Sequence, residues 1–480
     1  MNMKLKNTIW LYLSAMLVAV CFAACSDDDA DGSSPITVTG VYLEDQESSV
    51  PDRLVEFVRL GQVIRIQGSG FAGMRKVYVN GYETYFNPVY VADNSMLLQV
   101  SSSTPITSAA EDVRNTIHFV KTGTDYVHKF IIRSASPAIQ RIENTLPMAG
   151  ETVRVFGSGL QEITQVDLPG GVVVTTDIES DEDGEYFTFV MPTGVTAGGA
   201  IKAIGANGEA NSPNYFNYSS CMILNFDGKG TQGVWSWSET GSMLGAADKK
   251  DDNGKYTQRD ERADDPAHSG RGKCMQLIPD RMLNNADGGI AATKTRCTEV
   301  WTAGTGNADD DWTWMYTHIP ATTPVTEVAF QFDIYVPESN PWNNTGYIEV
   351  MLYNNVNMAG IGSDDEGQHV AFFVPWINNG AKTPYTTEGR WQTVTIPFSE
   401  WAVIAKGIAE DGKIPTFSDI VDARLAKDYY NFGMGIVNND FKYKGVEVKS
   451  TLLHQKVYVD NWRIVPYQTT PSSDFPEVEE

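Results

Sequence analysis

Tryptophan side chains in polar loops are the residues whose type and placement best indicate chemistry in this sequence. Trp342 lies in the turn-rich stretch ESNPWNNTG, and Trp376 leads from a strand-like run into the polar stretch VPWINNGAK. An indole plane can stack on the apolar C–H face of a sugar ring, while neighbouring amides bond to the hydroxyl groups. Asn343 and Asn378 lie within two residues of these rings. We therefore predict that these four residues contribute to a glycan-binding platform.

A second group of tryptophans offers further candidates for the same platform. Trp312 and Trp314 follow the acidic, glycine-containing stretch GTGNADDD, and Trp301 lies just upstream. For these three rings, packing of loops onto a hydrophobic core is an equally good interpretation, because large aromatic side chains are usually buried. We predict them as additional glycan-binding residues.

Carboxylates suited to catalysis are the alternative chemistry. Glycoside hydrolysis requires two carboxyl groups at a fixed separation, one of them with a raised pKa. Most acidic residues fall in polar loops, and only Asp333 and Glu349 lie within strand patterns as possible cleft residues. The six histidines form no H-x-H or H-E-x-x-H motif. We therefore predict a non-catalytic protein, with a glycoside hydrolase on a similar scaffold as the alternative.

The charge balance argues against nucleic acid as a partner. The chain has 36 basic and 61 acidic residues, which gives a net charge of −25. No basic patch fits that balance, so nucleic acid is not an expected partner.

Five cysteines occur without C-x-x-C spacing, which gives no support for a metal cluster.

The N-terminus has the features of an export signal. Two lysines precede the apolar run TIWLYLSAMLVAVCF, and small residues precede Cys25, so residues 1–24 are predicted to be a cleaved signal peptide. The segment FAAC resembles a bacterial lipobox, which implies that Cys25 is acylated. The acidic residues SDDDADG that follow resemble the export signal of surface-exposed lipoproteins. Residues 25–35 are predicted to be a lipidated acidic linker.

An eleven-residue pattern occurs twice in the next part of the chain. GQVIRIQGSGF (61–71) and GETVRVFGSGL (150–160) each combine an alternating strand pattern with paired glycines. Such glycines indicate a bend or bulge that needs a positive φ or a close backbone approach. Further short strand signals follow each copy at regular spacing, as in an immunoglobulin-like sandwich. The two units are predicted at 36–134 and 135–219.

The repeated units resemble IPT/TIG domains, which are immunoglobulin-like. The resemblance is carried by the order P-x-I-x-x-I followed by G-x-x-V-x-V-x-G-S-G-L. Neither unit contains tryptophan. We predict that both are spacers and that residues 36–219 alone bind no glycan, although binding of a partner protein by one unit is an open alternative.

The C-terminal half has longer strand patterns and all ten tryptophans that follow the signal. Thr326–Pro337 alternates cleanly between apolar and mixed positions, and Ser418–Tyr430 is the only good helix candidate. The predicted fold class is all-β: two immunoglobulin-like sandwiches, then a larger jelly-roll-type sandwich at 220–468. Residues 469–480 are predicted to be a tail.

Phrases in this half resemble carbohydrate-binding modules of the jelly-roll kind. NFDG opens the domain, WQTVTIP lies late in it, and VYVDNWRI closes it. In many such modules an opening-strand acid and the acid of the closing DN share a structural calcium ion. The resemblance implies Asp227 and Asp460 as the matching positions.

The whole arrangement resembles the surface glycan-binding proteins B of Sus-like polysaccharide-utilisation systems. The resemblance implies an outer-membrane lipoprotein that faces the cell exterior and binds a β-linked glucan such as xyloglucan or mixed-linkage β-glucan. It also implies service to a SusC/SusD-like uptake complex. Because Pro375 rather than an aromatic residue precedes Trp376, the platform is expected to differ from the xyloglucan-binding form. An adhesin for host glycan or protein is the other binding alternative.

Overall fold

The computed structural model describes most of the chain between residues 34 and 469. The described residues are 34–44, 52–134, 136–233, 249–250, 256–258, 262–277, 296–354, 361, 369–451 and 453–469. They are mostly β-strands arranged in several packed sheets, which confirms the mostly-β prediction. The chain divides into two compact units, Met1–Ser136 and Pro137–Glu480. The predicted Cys25 lies outside the described residues.

The first unit is built from short antiparallel strands. Its described strands are β1 (Thr37–Glu44), β2 (Asp52–Leu54), β3 (Phe57–Arg59), β4 (Val63–Ser69), β5 (Lys76–Val79), β6 (Tyr82–Thr84), β7 (Val91–Ala92), β8 (Ser95–Gln99), β9 (Thr116–Lys121), β10 (Thr124–Lys129) and β11 (Ile131–Arg133). They form sheets in the orders β2-β1-β4-β8-β7 and β10-β9-β5-β6, and β11 pairs in parallel with β3.

The second repeat begins the second unit and has the same topology. Its strands are β12 (Ala138–Ile142), β13 (Thr152–Ser158), β14 (Gln165–Leu168), β15 (Val172–Val174), β16 (Glu179–Ser180), β17 (Tyr186–Val190), β18 (Lys202–Gly205) and β19 (Gly208–Asn211). The sheet orders β12-β13-β17-β16 and β15-β14-β18-β19 match β1-β4-β8-β7 and β6-β5-β9-β10. The repeat seen in the sequence is therefore a repeat of structure.

The paired glycines of each repeat meet two different backbone requirements. A Cβ added to Gly68 would lie 1.9 Å from the Thr37 carbonyl oxygen, and one added to Gly157 would lie 1.9 Å from that of Ala138. Two residues later, Gly70 and Gly159 have φ angles of +78° and +66°. The opposing strands β1 and β12 shift register at the same place. The predicted bulge with close approach and positive φ is thus confirmed in both copies.

Gly157→Ala is expected to lower the free energy of unfolding of the second unit by about 2–3 kcal/mol. The new methyl group would overlap a backbone carbonyl, which cannot move without breaking the β12–β13 pairing. Thermal and urea unfolding would measure the loss. Gly407→Ala is the control, because its Cβ would meet nothing within 4 Å inside a helix, where alanine is favoured. Equal effects of the two changes would contradict the close-approach argument.

The C-terminal half forms a larger two-sheet sandwich. Its strands are β20 (Met222–Leu224), β21 (Lys249–Lys250), β22 (Tyr256–Gln258), β23 (Arg262–Asp264), β24 (Lys273–Leu277), β25 (Arg296–Trp301), β26 (Val328–Tyr335), β27 (Tyr347–Met351), β28 (Val370–Phe373), β29 (Ile377–Asn378), β30 (Ala381–Lys382), β31 (Gln392–Pro397), β32 (Gly433–Val437), β33 (Phe441–Tyr443), β34 (Val446–Val448) and β35 (Val457–Pro466). One main sheet has the order β23-β24-β35-β26-β31 with β20 on β35, and the other β25-β32-β27-β28. Their facing side chains share one hydrophobic cluster.

Two helices connect the sheets. They are α1 (Ala402–Asp411) and α2 (Phe417–Leu425). Thr416 and Asp419 form a reciprocal capping box at the start of α2, so the helix begins one residue before the predicted Ser418. The helix ends five residues before the predicted Tyr430, and α1 was not predicted, because it contains Gly407 and begins without a side-chain cap.

Strand β26 of the C-terminal sandwich packs against the second repeat. The two faces of β26 alternate as predicted, but both are buried rather than one. Its apolar face enters the sandwich core, whereas Gln331 and Asp333 face the other way, towards Thr145 of the second repeat and Arg463 of β35. The predicted boundary at 219/220 stays a prediction, since the residues on its two sides belong to one compact unit. Within the described residues, no helix has the length and apolar character required to cross a membrane.

Candidate functional site

The two tryptophans predicted for the platform are core residues. Trp342 and Trp376 have no exposed surface and belong to the hydrophobic cluster of the sandwich. Their indole N–H groups donate to the carbonyl oxygens of Thr345 at 2.9 Å and Gly346 at 2.8 Å. A ring without exposed surface cannot stack on a sugar, so the platform predicted from these two residues is wrong. Their role in the structure is to fix the turn that leads into β27.

The two predicted amides lie beside these buried rings. Asn378 is exposed, and Asn343 is half-buried with its Oδ1 accepting a hydrogen bond from Asn344 Nδ2 at 2.6 Å. The structure therefore brings the amides to the surface without the rings that were expected to accompany them.

The second group of tryptophans lies at the opposite end of the same sheet, and two of its three members are also buried. The Trp301 ring packs on Gly433, where an added Cβ would lie 2.2 Å from it. Trp312 is fully buried beneath the guanidinium of Arg424, 3.9 Å from its ring centre. The prediction that these two rings bind glycan is wrong for the same reason. Trp314 is half-buried and reaches the surface.

A buried arginine holds together the loops at this end. Arg424, at the end of α2, pairs with the Asp310 carboxylate at 3.3 Å and donates to the carbonyl oxygens of Leu352 at 3.0 Å and Tyr430 at 2.6 Å. Burial lowers its pKa to about 10, so the guanidinium remains charged at neutral pH. Three loops, following β25, β27 and α2, are thereby fixed to one another.

These loops present aromatic residues to solvent. Tyr429 is 64% exposed, and its carbonyl oxygen accepts a hydrogen bond from the Asn354 amide at 3.1 Å. The Tyr430 hydroxyl accepts one from the Gly306 amide at 3.0 Å. Trp314 also reaches the surface, from the loop that follows β25, and its indole N–H donates to the Asp309 carbonyl oxygen at 3.4 Å. We call Trp314, Asn354, Tyr429 and Tyr430 the loop surface. Sequence reasoning missed the two tyrosines because it placed them inside the predicted helix 418–430.

Tyr353, which precedes Asn354 of the loop surface in the chain, contacts an imidazole and a lysine. The Tyr353 hydroxyl and His369 Nδ1 are hydrogen bonded at 2.9 Å, and Lys427 lies 4.8 Å from the Tyr353 ring centre. Burial, assisted by Lys427, lowers the pKa of His369 to about 4, so the imidazole is neutral at pH 7. The arrangement offers rings and hydrogen-bonding groups, which suit a neutral sugar better than an ionic ligand.

The strand carboxylates considered for catalysis are inaccessible. Asp333 and Glu349 have no exposed surface and lie on different sheets. Burial by itself would raise the pKa of Asp333, but Arg463 and Arg271 outweigh burial and hold the pKa below its usual value. An ionised, paired carboxylate of this kind is neither a general acid nor open to substrate.

A match to a known family model identifies the family to which this chain belongs. The model described as the surface glycan-binding protein B xyloglucan binding domain matches residues 216–466, which is just over half of the chain. The chain belongs to this surface glycan-binding protein B family. Members of the family are non-catalytic proteins of the cell surface.

Two relatives illustrate how far the likeness extends. A crystal structure of the surface glycan-binding protein B of Prevotella bryantii is 18% identical, with a TM-score of 0.60 over 91% of this chain and all of that one. At that identity the likeness concerns the fold. An IPT/TIG domain-containing protein of Bacteroides ovatus is 27% identical over 161 residues, 33% of this chain. The chain aligns with only about a third of the length of that relative.

The two acids predicted for calcium each accept hydrogen bonds from backbone amides. Asp227 accepts hydrogen bonds from the Lys273 amide at 2.9 and 3.1 Å, and Asp460 accepts one from the Asn461 amide at 2.7 Å. No cluster of three or more histidine, cysteine, aspartate or glutamate side chains among the described residues is placed to hold a metal ion. The calcium site at Asp227 and Asp460 stays a prediction.

Asp460→Asn is expected to stabilise the second unit at pH 8.5 by about 1–3 kcal/mol and to have little effect at pH 5. Burial, with the neighbouring Asp333 carboxylate, raises the pKa of Asp460 to about 8. Between pH 4 and 8 the folded state binds more protons than the unfolded state, so the free energy of unfolding falls as pH rises. The amide is neutral and removes that dependence. Melting temperatures of both proteins at the two pH values test this.

The same measurement repeated with calcium and with a chelator checks the metal prediction. If the wild type gains stability from calcium and Asp460→Asn loses that gain, the carboxylate is a ligand after all. Equal melting temperatures in calcium and chelator would agree with the incomplete ligand set.

Proposed function

We propose that this protein is a cell-surface lipoprotein that captures a β-linked glucan, such as xyloglucan or mixed-linkage β-glucan, without cleaving it. The observation that carries the proposal is membership of the surface glycan-binding protein B family over residues 216–466. The loop surface supplies one exposed and two half-buried aromatic rings with neutral hydrogen-bonding groups, which is the chemistry that pyranose rings require.

The remaining parts of the chain have roles that fit this function. Cys25 is acylated and anchors the protein in the outer membrane, facing the exterior, where buried acyl methylenes at ~0.8 kcal/mol each hold it. The immunoglobulin-like repeats at 36–134 and 135–219 extend the jelly-roll-type domain at 220–468 from the anchor. The bound polysaccharide is passed to a SusC/SusD-like uptake complex.

Affinity electrophoresis of residues 26–480 tests the proposal. Gels containing xyloglucan, barley β-glucan, galactomannan or xylan are run beside a gel without polysaccharide, and reducing-sugar release from each is assayed. We expect slower migration in xyloglucan or β-glucan and no release. Release of reducing sugar would overturn the non-catalytic function, and unchanged migration in every gel would favour the adhesin alternative.

A further inference from the structure

The first repeat contains an open cleft that the spacer function does not explain. The cleft has a volume of about 600 Å³ and lies between β6 with its following turn and strand β8. Tyr82, Tyr85 and Tyr90 line it and are 39%, 81% and 58% exposed. Among the described residues only one other tyrosine, Tyr429, is comparably exposed. Within the part of the chain that the structure describes, the most exposed tyrosines therefore lie in this cleft and on the loop surface.

The second repeat shows that the fold does not require these rings. Strands β5 and β6 correspond to β14 and β15, because each pair occupies the same place in the same sheet order. Tyr82 at the start of β6 corresponds to Val172, and Tyr85, directly after β6, corresponds to Thr175. The second repeat folds with the same topology without aromatic residues at these positions. The tyrosines of the first repeat are thus additions to the fold, and exposed rings stay in water at a cost in free energy.

The polar groups of the cleft select a neutral ligand. Asn87, Gln99 and Ser101 line it with amide and hydroxyl groups, and the lining includes no lysine or arginine. Its one carboxylate, Glu83, is already paired with Lys76 at 3.0 Å. Rings that can stack on the apolar C–H faces of sugars, and amide and hydroxyl groups that can bond to sugar hydroxyls, fit a neutral glucan better than an anionic ligand, since no lysine or arginine lines the cleft.

We propose that this cleft in the first repeat is a second binding site for the same neutral β-linked glucan, with Tyr85 and Tyr90 as its stacking rings. The inference rests on the proposed function, because the ligand is the same polymer. It replaces the expectation that residues 36–219 bind no glycan. Two sites on one chain that engage one polymer raise the apparent affinity for the polymer without any new contact.

The test uses two readouts on the mature chain, residues 26–480. All ten tryptophans of that chain lie between Trp235 and Trp462. Tryptophan fluorescence therefore reports glucan binding in the C-terminal half alone, whereas isothermal titration calorimetry counts every site. The probes are a xyloglucan oligosaccharide and a mixed-linkage β-glucan oligosaccharide, and the variant is Tyr85→Thr combined with Tyr90→Ala. Both rings are largely exposed, so the variant is expected to fold, which its melting temperature checks.

We expect the wild type to bind two oligosaccharides and the double variant to bind one, with an unchanged fluorescence titration. Affinity for the intact polysaccharide should fall about tenfold. A stoichiometry of one that the double variant does not alter would overturn the inference while leaving the proposed function in place. Binding that the double variant abolishes, with no fluorescence change in the wild type, would support the cleft and overturn the loop surface. An absence of binding by either readout would overturn both.

Discussion

Trp314→Ala is expected to weaken binding of a xyloglucan or mixed-linkage oligosaccharide to the C-terminal half by about 10- to 100-fold, or ~1.4–2.8 kcal/mol. Trp314 is the one predicted platform tryptophan of the described chain that reaches the surface, and it belongs to the loop surface with Tyr429 and Tyr430. Aromatic anchors carry a large share of binding energy wherever a few rings form a contact surface. Fluorescence titration with calorimetry on the mature chain would measure the change, and Tyr429→Ala should weaken binding in the same direction.

Two further variants separate binding from folding in this experiment. Trp314→Phe keeps an apolar ring but loses the N–H group that donates to the Asp309 carbonyl oxygen, so an intermediate loss is expected. Tyr443→Ala is the matched control, since Tyr443 is also half-buried and lies after β32, whereas the loop surface precedes that strand. Loss of binding in Tyr443→Ala but not in Trp314→Ala would move the site to the end of the sheet where Trp342 and Trp376 are buried.

Local patterns in the sequence predicted the elements that depend on local physics. The G-S-G pairs predicted a bend with a positive φ or a close approach, and each copy has both, one at each glycine. The presence of a helix after Thr416 was likewise predicted from a local pattern, although its cap lies two residues before the predicted start. The repeat of strands followed from alternation and turn residues, which act over two to four positions.

The burial of the tryptophans could not be predicted from local patterns. The polar sequence around Trp342 indicated an exposed ring, but the ring is covered by partners distant in the chain. Trp342 pairs through its backbone with Tyr385, and Trp376 lies 6.2 Å from Phe441, centre to centre. Burial of a loop residue is decided by the packing of other loops, which no local window contains. Tyr429 and Tyr430 were missed for the converse reason, because a helix-like pattern continued past the point where α2 ends.

The alternation of strand β26 was predicted correctly, but the burial of both its faces was not. Alternation correctly divided its residues between two faces, and the mixed face was then expected to be partly open to solvent. In the structure this face is covered by the second repeat, so Asp333 is a buried ion rather than a cleft carboxylate. A sequence gives the periodicity of a strand, whereas the identity of what covers each face is a property of the assembled unit.

Asp333→Ala is expected to lower the free energy of unfolding of the second unit by about 3–5 kcal/mol. Asp333 is fully buried and accepts hydrogen bonds from Arg271 at 2.8 Å, Arg463 at 3.0 Å and Asn461 at 3.0 Å. Its removal would leave two buried guanidinium groups without their shared carboxylate, and an uncompensated buried charge costs far more than the intact pair contributes. Calorimetric unfolding would measure the loss.

The hydrogen-bonding partners of Asp333 extend to the junction with the second repeat, so the expected loss of stability concerns that junction. Arg463 also donates to the Thr145 hydroxyl at 2.9 Å, so the network crosses from the C-terminal sandwich into that repeat. Asp333→Asn keeps one of the two acceptor oxygens but loses the charge, and should give a smaller loss. Unfolding of Met1–Ser136, which contributes no residue to the network, provides the internal reference and should be unchanged. If Asp333→Ala unfolded at the wild-type temperature, water or rearranged side chains would have to stabilise the charges of both arginines, and the junction would not depend on the buried ion.

If the loss is as large as expected, the second repeat is held to the sandwich by a charge network as well as by apolar contacts at Ala329 and Val465.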